Sequence, residues 1–569
     1  MKRRAAVFFG LIIAVILFWI GNTVWHDARL GYETGGWAGA FDHADDGLRT
    51  VRLAISTHVH DLLAGLALVG CAGLGWLYYV AERGRERRGE EHGSARWGRP
   101  RDIGPFINPD AGRNLLLTRT ERLTIDRPAK IQHQRNLNVM VIGAAGTGKS
   151  RNFILPNMAR PHSSYLATDP KGELLAASGT ALKEAGYQIR VLNLVNFAES
   201  DRFNPLAYLR PGHEPEDVNL MAINIIANTD VPRQQMAGGG DPFWERAEAG
   251  LLNALIGFVA ATYPAGDQHL GSVMDLLLQM RASDDVAYTS EVDAIFEGAA
   301  RMLADNPSML HHELLAFAIA NYKVYQRAAQ KTAASIIVTM GMRLAPLHIP
   351  SVRRLVTADT MQLDLVGFEP TALFMVLPDT NKQFAWLSAL MLTTFFQRGV
   401  WLADRQYSRR LPVPVMCFLD EFANIGKIPD FDILAATLRS RGISFQAVIQ
   451  ALGQGQALYR DGWKAILGNC DTVLFLGSAD ADTKEYISKA LGKQTIMVTD
   501  SSRTKGRHGS DSRSRKSQGR ELLTPDEVGR LPGDEAIVLI RGLPPFKSKK
   551  LAPLPETTPY RHQTQNARI

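Results

Sequence analysis

Two long apolar runs near the amino end stand apart from the rest of the chain. Ala5–Val24 is a predominantly apolar stretch that, as a helix, would reach about 30 Å, the thickness of a bilayer core. Leu62–Val80 is the second, and it carries Trp76, Tyr78 and Tyr79 near its end. Both predict membrane-spanning helices, with a buried core helix as the alternative. Lys2, Arg3 and Arg4 precede the first run, and Arg83, Arg85, Arg87 and Arg88 follow the second. The intervening Trp25–Asp61 segment has three arginines (Arg29, Arg49 and Arg52) against six acidic residues. The excess of basic residues on the cytoplasmic side puts both termini inside and a short loop outside. The first run ends in Trp25-His26-Asp27 and not in a small-x-small cleavage site, so it reads as an anchor and not as a cleaved signal.

From about residue 90 the pattern changes to short apolar runs. Asn138–Ile142, Ser164–Thr168, Ile189–Leu194, Ala372–Leu377, Pro414–Leu419, Phe445–Ile449, Thr472–Leu476 and Ala536–Ile540 predict buried strands. Helical patterns separate most of them, which predicts a parallel, doubly wound sheet with helices on both faces. Between Asp217 and Leu347 no strand-like run occurs. Trp244, Ala247, Leu251, Ala254, Leu255 and Phe258 recur there at helical spacing. Further helices are expected at Ser272–Met280, Val292–Asn306 and Leu310–Leu344. The chain therefore divides into a membrane anchor (1–90), the first part of an α/β domain (91–216), an inserted all-α domain (217–347), the second part of the α/β domain (348–555) and a tail (556–569).

Composition adds one point about location. The net charge is +7, but 14 Lys/Arg against 7 Asp/Glu fall between Ser501 and Ile569, so the first 500 residues are balanced. A basic carboxyl region is implied, not a basic core. Within it, 501–520 has no apolar residue and reads as a solvated, mobile loop. Its Arg503, Lys505, Arg507, Arg513, Arg515, Lys516 and Arg520 could meet nucleic acid or anionic lipid, or could decorate a plain insertion. Cys71, Cys417 and Cys470 have no metal-ligand or disulfide spacing.

The chemistry is carried by two stretches. Gly143-Ala144-Ala145-Gly146-Thr147-Gly148-Lys149-Ser150 follows a strand and opens a helical pattern from about Arg151. It is a full P-loop match, G-x-x-x-x-G-K-[ST]. Its glycines let backbone N–H groups surround phosphates, Lys149 supplies a point charge, and the Ser150 hydroxyl reaches Mg²⁺. The helix beyond aims its positive dipole end at the anion. Pro414–Leu419 leads into Asp420-Glu421, where Asp420 would hold Mg²⁺ through water and Glu421 would polarise the attacking water. A second carboxylate leans toward hydrolysis of ATP and away from a mere switch.

These stretches, taken with others, resemble the type IV coupling proteins, the TraG-type ATPases of conjugation and type IV secretion. The resemblance rests on the two spans, His92-Gly93-Ser94-Ala95-Arg96-Trp97-Gly98, the P-loop, Thr168-Asp169-Pro170-Lys171-Gly172-Glu173 and Phe203-Asn204-Pro205-Leu206. It continues through Asp241-Pro242-Phe243-Trp244, Leu419-Asp420-Glu421-Phe422-Ala423-Asn424-Ile425-Gly426 and Leu522-Leu523-Thr524-Pro525-Asp526-Glu527-Val528. It implies a RecA-like P-loop core assembled as a homohexamer on the bacterial inner membrane, multi-pass, with its bulk in the cytoplasm. The implied partners are DNA bound without sequence specificity, a relaxase or protein effector, and the secretion channel. Arg439 matches the family arginine that reaches a neighbour's γ-phosphate, with Arg441 as an alternative finger. Gln450 matches its γ-phosphate-sensing glutamine. Two other readings compete: a different membrane-linked motor, and a docking receptor switched by nucleotide. The helical insertion and the Thr168–Glu173 motif disfavour the first, and Glu421 disfavours the second.

Overall fold

The structure is a computed structural model that describes residues 2–49, 55–83, 89–229, 242–281, 290–406, 408–503, 511–555 and 559–562. Arg52, Arg85, Arg87, Arg88, Lys505, Arg507, Asp241 and most of the tail lie outside these. Two compact units emerge, Met1–Ser94 with Gln494–Arg520, and Ala95–Lys493 with Glu521–Ile569.

In the larger unit, two short antiparallel strands, β1 (Asn114–Leu116) and β2 (Arg122–Thr124), precede the main sheet. The sheet strands are β3 (Val139–Gly143), β4 (Ser164–Asp169), β5 (Gln188–Asn193), β6 (Thr371–Val376), β7 (Val415–Leu419), β8 (Ile443–Ile449) and β9 (Thr472–Gly477). Strands β10 (Lys493–Arg503) and β11 (Asp511–Glu521) form a separate two-stranded sheet. The chain then returns to the main sheet with β12 (Glu535–Ile540) and β13 (Phe546–Lys549). The order across the main sheet is β13-β12-β9-β3-β8-β7-β4-β6-β5.

The seven strands from β9 to β5 pair in parallel. Strands β3, β4, β6, β7 and β8 are buried at every position, as their predominantly apolar runs require for strands covered on both faces. The expected all-parallel sheet needs one correction. Strand β12 runs antiparallel to β9, and β13 runs antiparallel to β12. Only five residues join β12 to β13, too few for a parallel crossover, so the pair must be a hairpin. Its outer strand carries Lys547 and Lys549, charges that blunt a sheet edge against further pairing.

Helix replaces strand throughout the described residues of 214–344. The segment expected as one helical stretch, Leu310–Leu344, is two helices, His312–Gln326 and Gln330–Leu344. One hydrophobic cluster runs from these helices into the sheet, joining Leu251, Leu255 and Leu315 to Met140 and Phe445. The helical insertion is thus packed into the core and does not hang from it. Inside lies an ion pair between Glu248 and Arg343 at 2.9 Å, with both side chains almost fully buried.

In the smaller unit, the helix Lys2–Arg49 is broken at Gly35–Gly36, where Gly36 takes φ +62°. The expected outer loop is therefore largely helical. Gly31 and Gly39 meet across the break, and a Cβ on Gly31 would come within 2.3 Å of the Gly39 carbonyl oxygen. The second helix is Val59–Arg83. Segments within both helices, Phe9–Asp45 and Val59–Tyr79, are long and apolar enough to cross a membrane by length and composition. The Asp61 carboxylate ties the two helices together, accepting from Ser56 Oγ (2.7 Å) and Arg29 Nε (3.2 Å), with His26 Nδ1 at 2.9 Å.

The described residues of 501–520 differ from their expected loop state, and 504–510 lie outside the described residues. Ser501–Arg503 ends β10, and Asp511–Arg520 belongs to β11. Backbone pairing needs no apolar side chain where both faces meet water, and the apolar Ile496, Met497 and Val498 of β10 supply strand propensity. Lys516 faces Asp500 at 3.9 Å. The base of the pair is fastened to the segment after the second helix, since Thr495 N–H donates to the Gly93 carbonyl at 3.1 Å.

Candidate functional site

The strand order β9-β3-β8-β7-β4 brings four loops side by side at the carboxyl ends of parallel strands, the usual place for a ligand in an open α/β sheet. The Gly143–Ser150 loop leaves β3, Gln450 follows β8, Asp420-Glu421 follows β7, and Asp169–Glu173 follows β4. They enclose a cleft of about 350 Å³, within the size range of small-molecule sites.

Ala144, Ala145, Gly146, Gly148, Lys149 and Ser150 all line this cleft, together with Asp420, Glu421 and Gln450. Gly143 and Thr147 belong to its supporting layer. Ala144 N–H donates to the Gly477 carbonyl (2.9 Å) and Thr147 Oγ1 to the Ala144 carbonyl (2.8 Å). Lys149 Nζ donates back to the Ala144 carbonyl at 3.4 Å. The expected helix after the loop starts as a widened π-type turn, Ser150–Ile154, before Leu155–Met158 continues as α-helix. Such turns collect at functional sites.

Ser150 Oγ donates to Asp420 Oδ2 at 2.7 Å. Asp420 is buried, and burial raises its pKa, opposed by the Ser150 hydrogen bond and the Lys149 charge. Beside it, Glu421 holds φ +50°, in the left-handed region that a non-glycine residue seldom adopts. Asn424 Nδ2 donates to Glu421 Oε2 at 2.9 Å, which fixes the carboxylate. Backbone strain retained at a residue whose side chain is held by a dedicated partner is characteristic of a functional position.

The donor set suits a magnesium nucleotide. Hydroxyl and carboxylate oxygens converge at one end of the cleft, as hard cations prefer. The P-loop amides and Lys149 offer the positive groups that phosphates need.

No site role is expected from sequence for Asp169, Lys171, Glu173 or Asn424, and the structure puts the first three in the cleft wall. Burial pushes the Asp169 carboxyl up to about 6, with Asp420 nearby adding to the shift. Asp169 Oδ2 accepts from Leu175 N–H at 2.9 Å, and Thr168 Oγ1 donates to the Asp420 carbonyl at 2.7 Å. The available signal was the recurrence of the carboxyl-end pattern, a strand running into an acid, at Thr168-Asp169 as at Leu419-Asp420.

Arg439 lies outside the cleft, exposed near the end of the helix Phe431–Arg441. Arg441 is occupied within its own chain, donating through Nε and Nη2 to the two Asp404 oxygens at 3.0 Å each.

The family model for type IV secretory system conjugative DNA transfer matches residues 117–554. The chain belongs to this family. Among its relatives, the conjugal transfer protein TraG of Rhizobium radiobacter is 25% identical over 417 residues, 72% of this chain and 60% of that protein. Protein VirD4 of the same organism is 24% identical over 422 residues, 72% and 56% of the two chains. The chain thus spans less than two thirds of the length of these relatives. Two solved structures share the fold. The bacterial conjugative coupling protein TrwB, in its trigonal form with sulphate, has a TM-score of 0.55 at 15% identity, covering 82% of this chain and 95% of that one. The plasmid coupling protein TrwB in complex with ADP and Mg²⁺ has 0.52 at 14% identity, covering 75% and 88%. The RecA-like core expected from the resemblance is the fold these family proteins share.

Proposed function

We propose that this protein is a coupling ATPase, anchored in the bacterial inner membrane, that hands DNA–protein or protein cargo to a type IV secretion channel using ATP hydrolysis. The observation that carries the reading is the 2.7 Å hydrogen bond from Ser150 to Asp420 with Glu421 beside it, in a chain of the conjugative DNA transfer family. Ser150 and Asp420 would hold Mg²⁺, which when bound supplies charge neutralisation to the phosphate oxygens. The P-loop amides and Lys149 would bind the phosphates of ATP. Glu421, steered by Asn424, would orient and deprotonate water toward the γ-phosphorus, and Gln450 would sense the γ-phosphate from the end of β8. Arg439, exposed and outside its own cleft, is in keeping with a role in the neighbouring site of a ring, so the functional unit would be a homohexamer. An always-charged planar fork suits that task. The two apolar helices, with basic residues at their outer ends, support an anchor with both termini in the cytoplasm.

The test is the ATPase rate of the full-length protein in detergent, with and without single-stranded and duplex DNA. DNA-stimulated turnover that Glu421→Gln removes while Mg²⁺-nucleotide binding persists supports the motor. Equal turnover in wild type and Glu421→Gln removes the catalytic assignment. Unstimulated turnover points to a protein-docking role.

A further inference from the structure

Behind the P-loop, on the side away from the cleft, sits a buried lysine that the nucleotide chemistry above does not use. Lys550 follows β13 and is 6% exposed. Its Nζ donates to the Thr147 carbonyl at 2.9 Å and to the Leu476 carbonyl at 2.8 Å. No ion pair of Lys550 with a carboxylate occurs among the described residues, and burial lowers its pKa. Withdrawing an ammonium from water onto two carbonyl oxygens is costly, so the arrangement calls for a reason. Its backbone is held on both sides, with Lys550 N–H donating to the Asp534 carbonyl (2.8 Å) and Arg119 Nε donating to the Lys550 carbonyl (3.1 Å). The next residue also touches the loop, since Asn152 Nδ2 donates to the Leu551 carbonyl at 2.6 Å.

We propose that Lys550 is a positioning residue for the nucleotide site, which pins the Thr147–Gly148 peptide so that the Gly148 N–H faces the phosphates. The peptide bonds of the described chain are trans, and in a planar trans peptide the carbonyl and the following N–H point in opposite directions. Holding the Thr147 carbonyl back toward Lys550 therefore turns the Gly148 N–H forward, and Gly148 lines the cleft while Thr147 does not. Gly148 has φ +90° and no Cβ, so its own preferences leave the peptide easy to flip. A flipped peptide would aim a carbonyl oxygen at the phosphates. The second carbonyl, of Leu476, lies in β9, whose last residue, Gly477, already accepts from Ala144 N–H through its carbonyl. Lys550 thus locks the loop to the adjacent strand at a second point.

The inference rests on the reading of the cleft as a nucleotide site, and the experiment separates the two. Binding of fluorescently labelled ADP with Mg²⁺ is measured on full-length wild type, K550M and K550R. K550M is expected to bind at least ten-fold more weakly. K550R, which keeps a cationic donor, is expected to recover most of that loss. K550M within two-fold of wild type overturns the positioning role, as does K550R falling as far as K550M. If K550M does not fold, K550Q replaces it. One bond shorter, the glutamine cannot reach both carbonyls, so a several-fold loss is expected and wild-type affinity overturns the proposal. Failure of the wild type to bind ADP with Mg²⁺ overturns the nucleotide reading, and the assignment of Lys550 with it.

Discussion

Ser150 and Asp420 are 270 residues apart in the chain and 2.7 Å apart in the fold, joined by a hydrogen bond from hydroxyl to carboxylate. The contact exists because β3 and β7 both flank β8 and end at the same edge of the sheet. It places the phosphate loop and the candidate base in one cleft.

Asn424 should matter for turnover and not for binding. Its amide holds the Glu421 carboxylate at 2.9 Å. Asn424→Ala is expected to lower kcat by about ten-fold or more, since an unaligned base gives up part of the 10²–10⁴ that such groups contribute. The affinity for ADP with Mg²⁺ should stay within two-fold. Steady-state ATPase assays paired with a binding titration check both arms.

Arg439 and Arg441 should behave differently despite lying two residues apart. Arg439→Ala is expected to lower turnover by about 10³-fold if it completes a neighbour's site. Mixing Arg439→Ala with Lys149→Ala subunits should restore part of the rate, because some interfaces then pair an intact loop with an intact arginine. Arg441→Ala loses only a partly exposed pair with Asp404, so turnover should change by less than about three-fold. Rates of mixed preparations across a series of subunit ratios decide the matter, and an absence of rescue would remove the cross-subunit role.

The raised Asp169 pKa predicts a pH effect on the nucleotide-free protein. Its carboxyl is pushed up to about 6 in the fold, against 3.8 for the ordinary group. Between these values the folded state holds more protons than the unfolded state, so stability falls as pH rises from about 4 to about 6. Asp169→Asn keeps the acceptor for Leu175 N–H and cannot ionise. Its stability relative to wild type should therefore grow across that window and level off above it, by roughly 1–3 kcal/mol. Unfolding midpoints of the two proteins at pH 4.5 and 7.5 test this, and a constant difference would remove the titration.

The Glu248–Arg343 pair should be sensitive to loss of one partner. Both side chains are almost fully buried, and Arg343 Nη1 also donates to the Ile226 carbonyl at 3.0 Å. Arg343→Met removes the cationic partner of the buried Glu248 carboxylate and the donor to the Ile226 carbonyl, which costs about 3–5 kcal/mol. The double variant Glu248→Leu/Arg343→Met should recover much of it. Thermal unfolding of the three proteins provides the comparison.

Much of this protein is legible in its sequence, for local reasons. The P-loop, the apolar strand runs and the apolar helices near the amino end each follow from adjacent residues, whose spacing alone satisfies the backbone and buries the right face. Asp420-Glu421 is legible in the same way, as an acid pair at the end of a buried strand. The tertiary structure decided what adjacency cannot carry. Strand β13 runs antiparallel to β12 because the five residues between Ile540 and Phe546 permit only a hairpin, and the reversal of β12 against β9 is visible only in the assembled sheet. Asp511–Arg520 is strand and not loop because its ladder partner, not its own side chains, supplies the pairing. Asp169 in the cleft wall, Asn424 against Glu421 and Lys550 behind the loop acquire their places only when the sheet order assembles the candidate cleft. A buried lysine 400 residues beyond the loop it braces has no sequence signature, since its meaning lies in two carbonyl oxygens, one from that loop and one from β9.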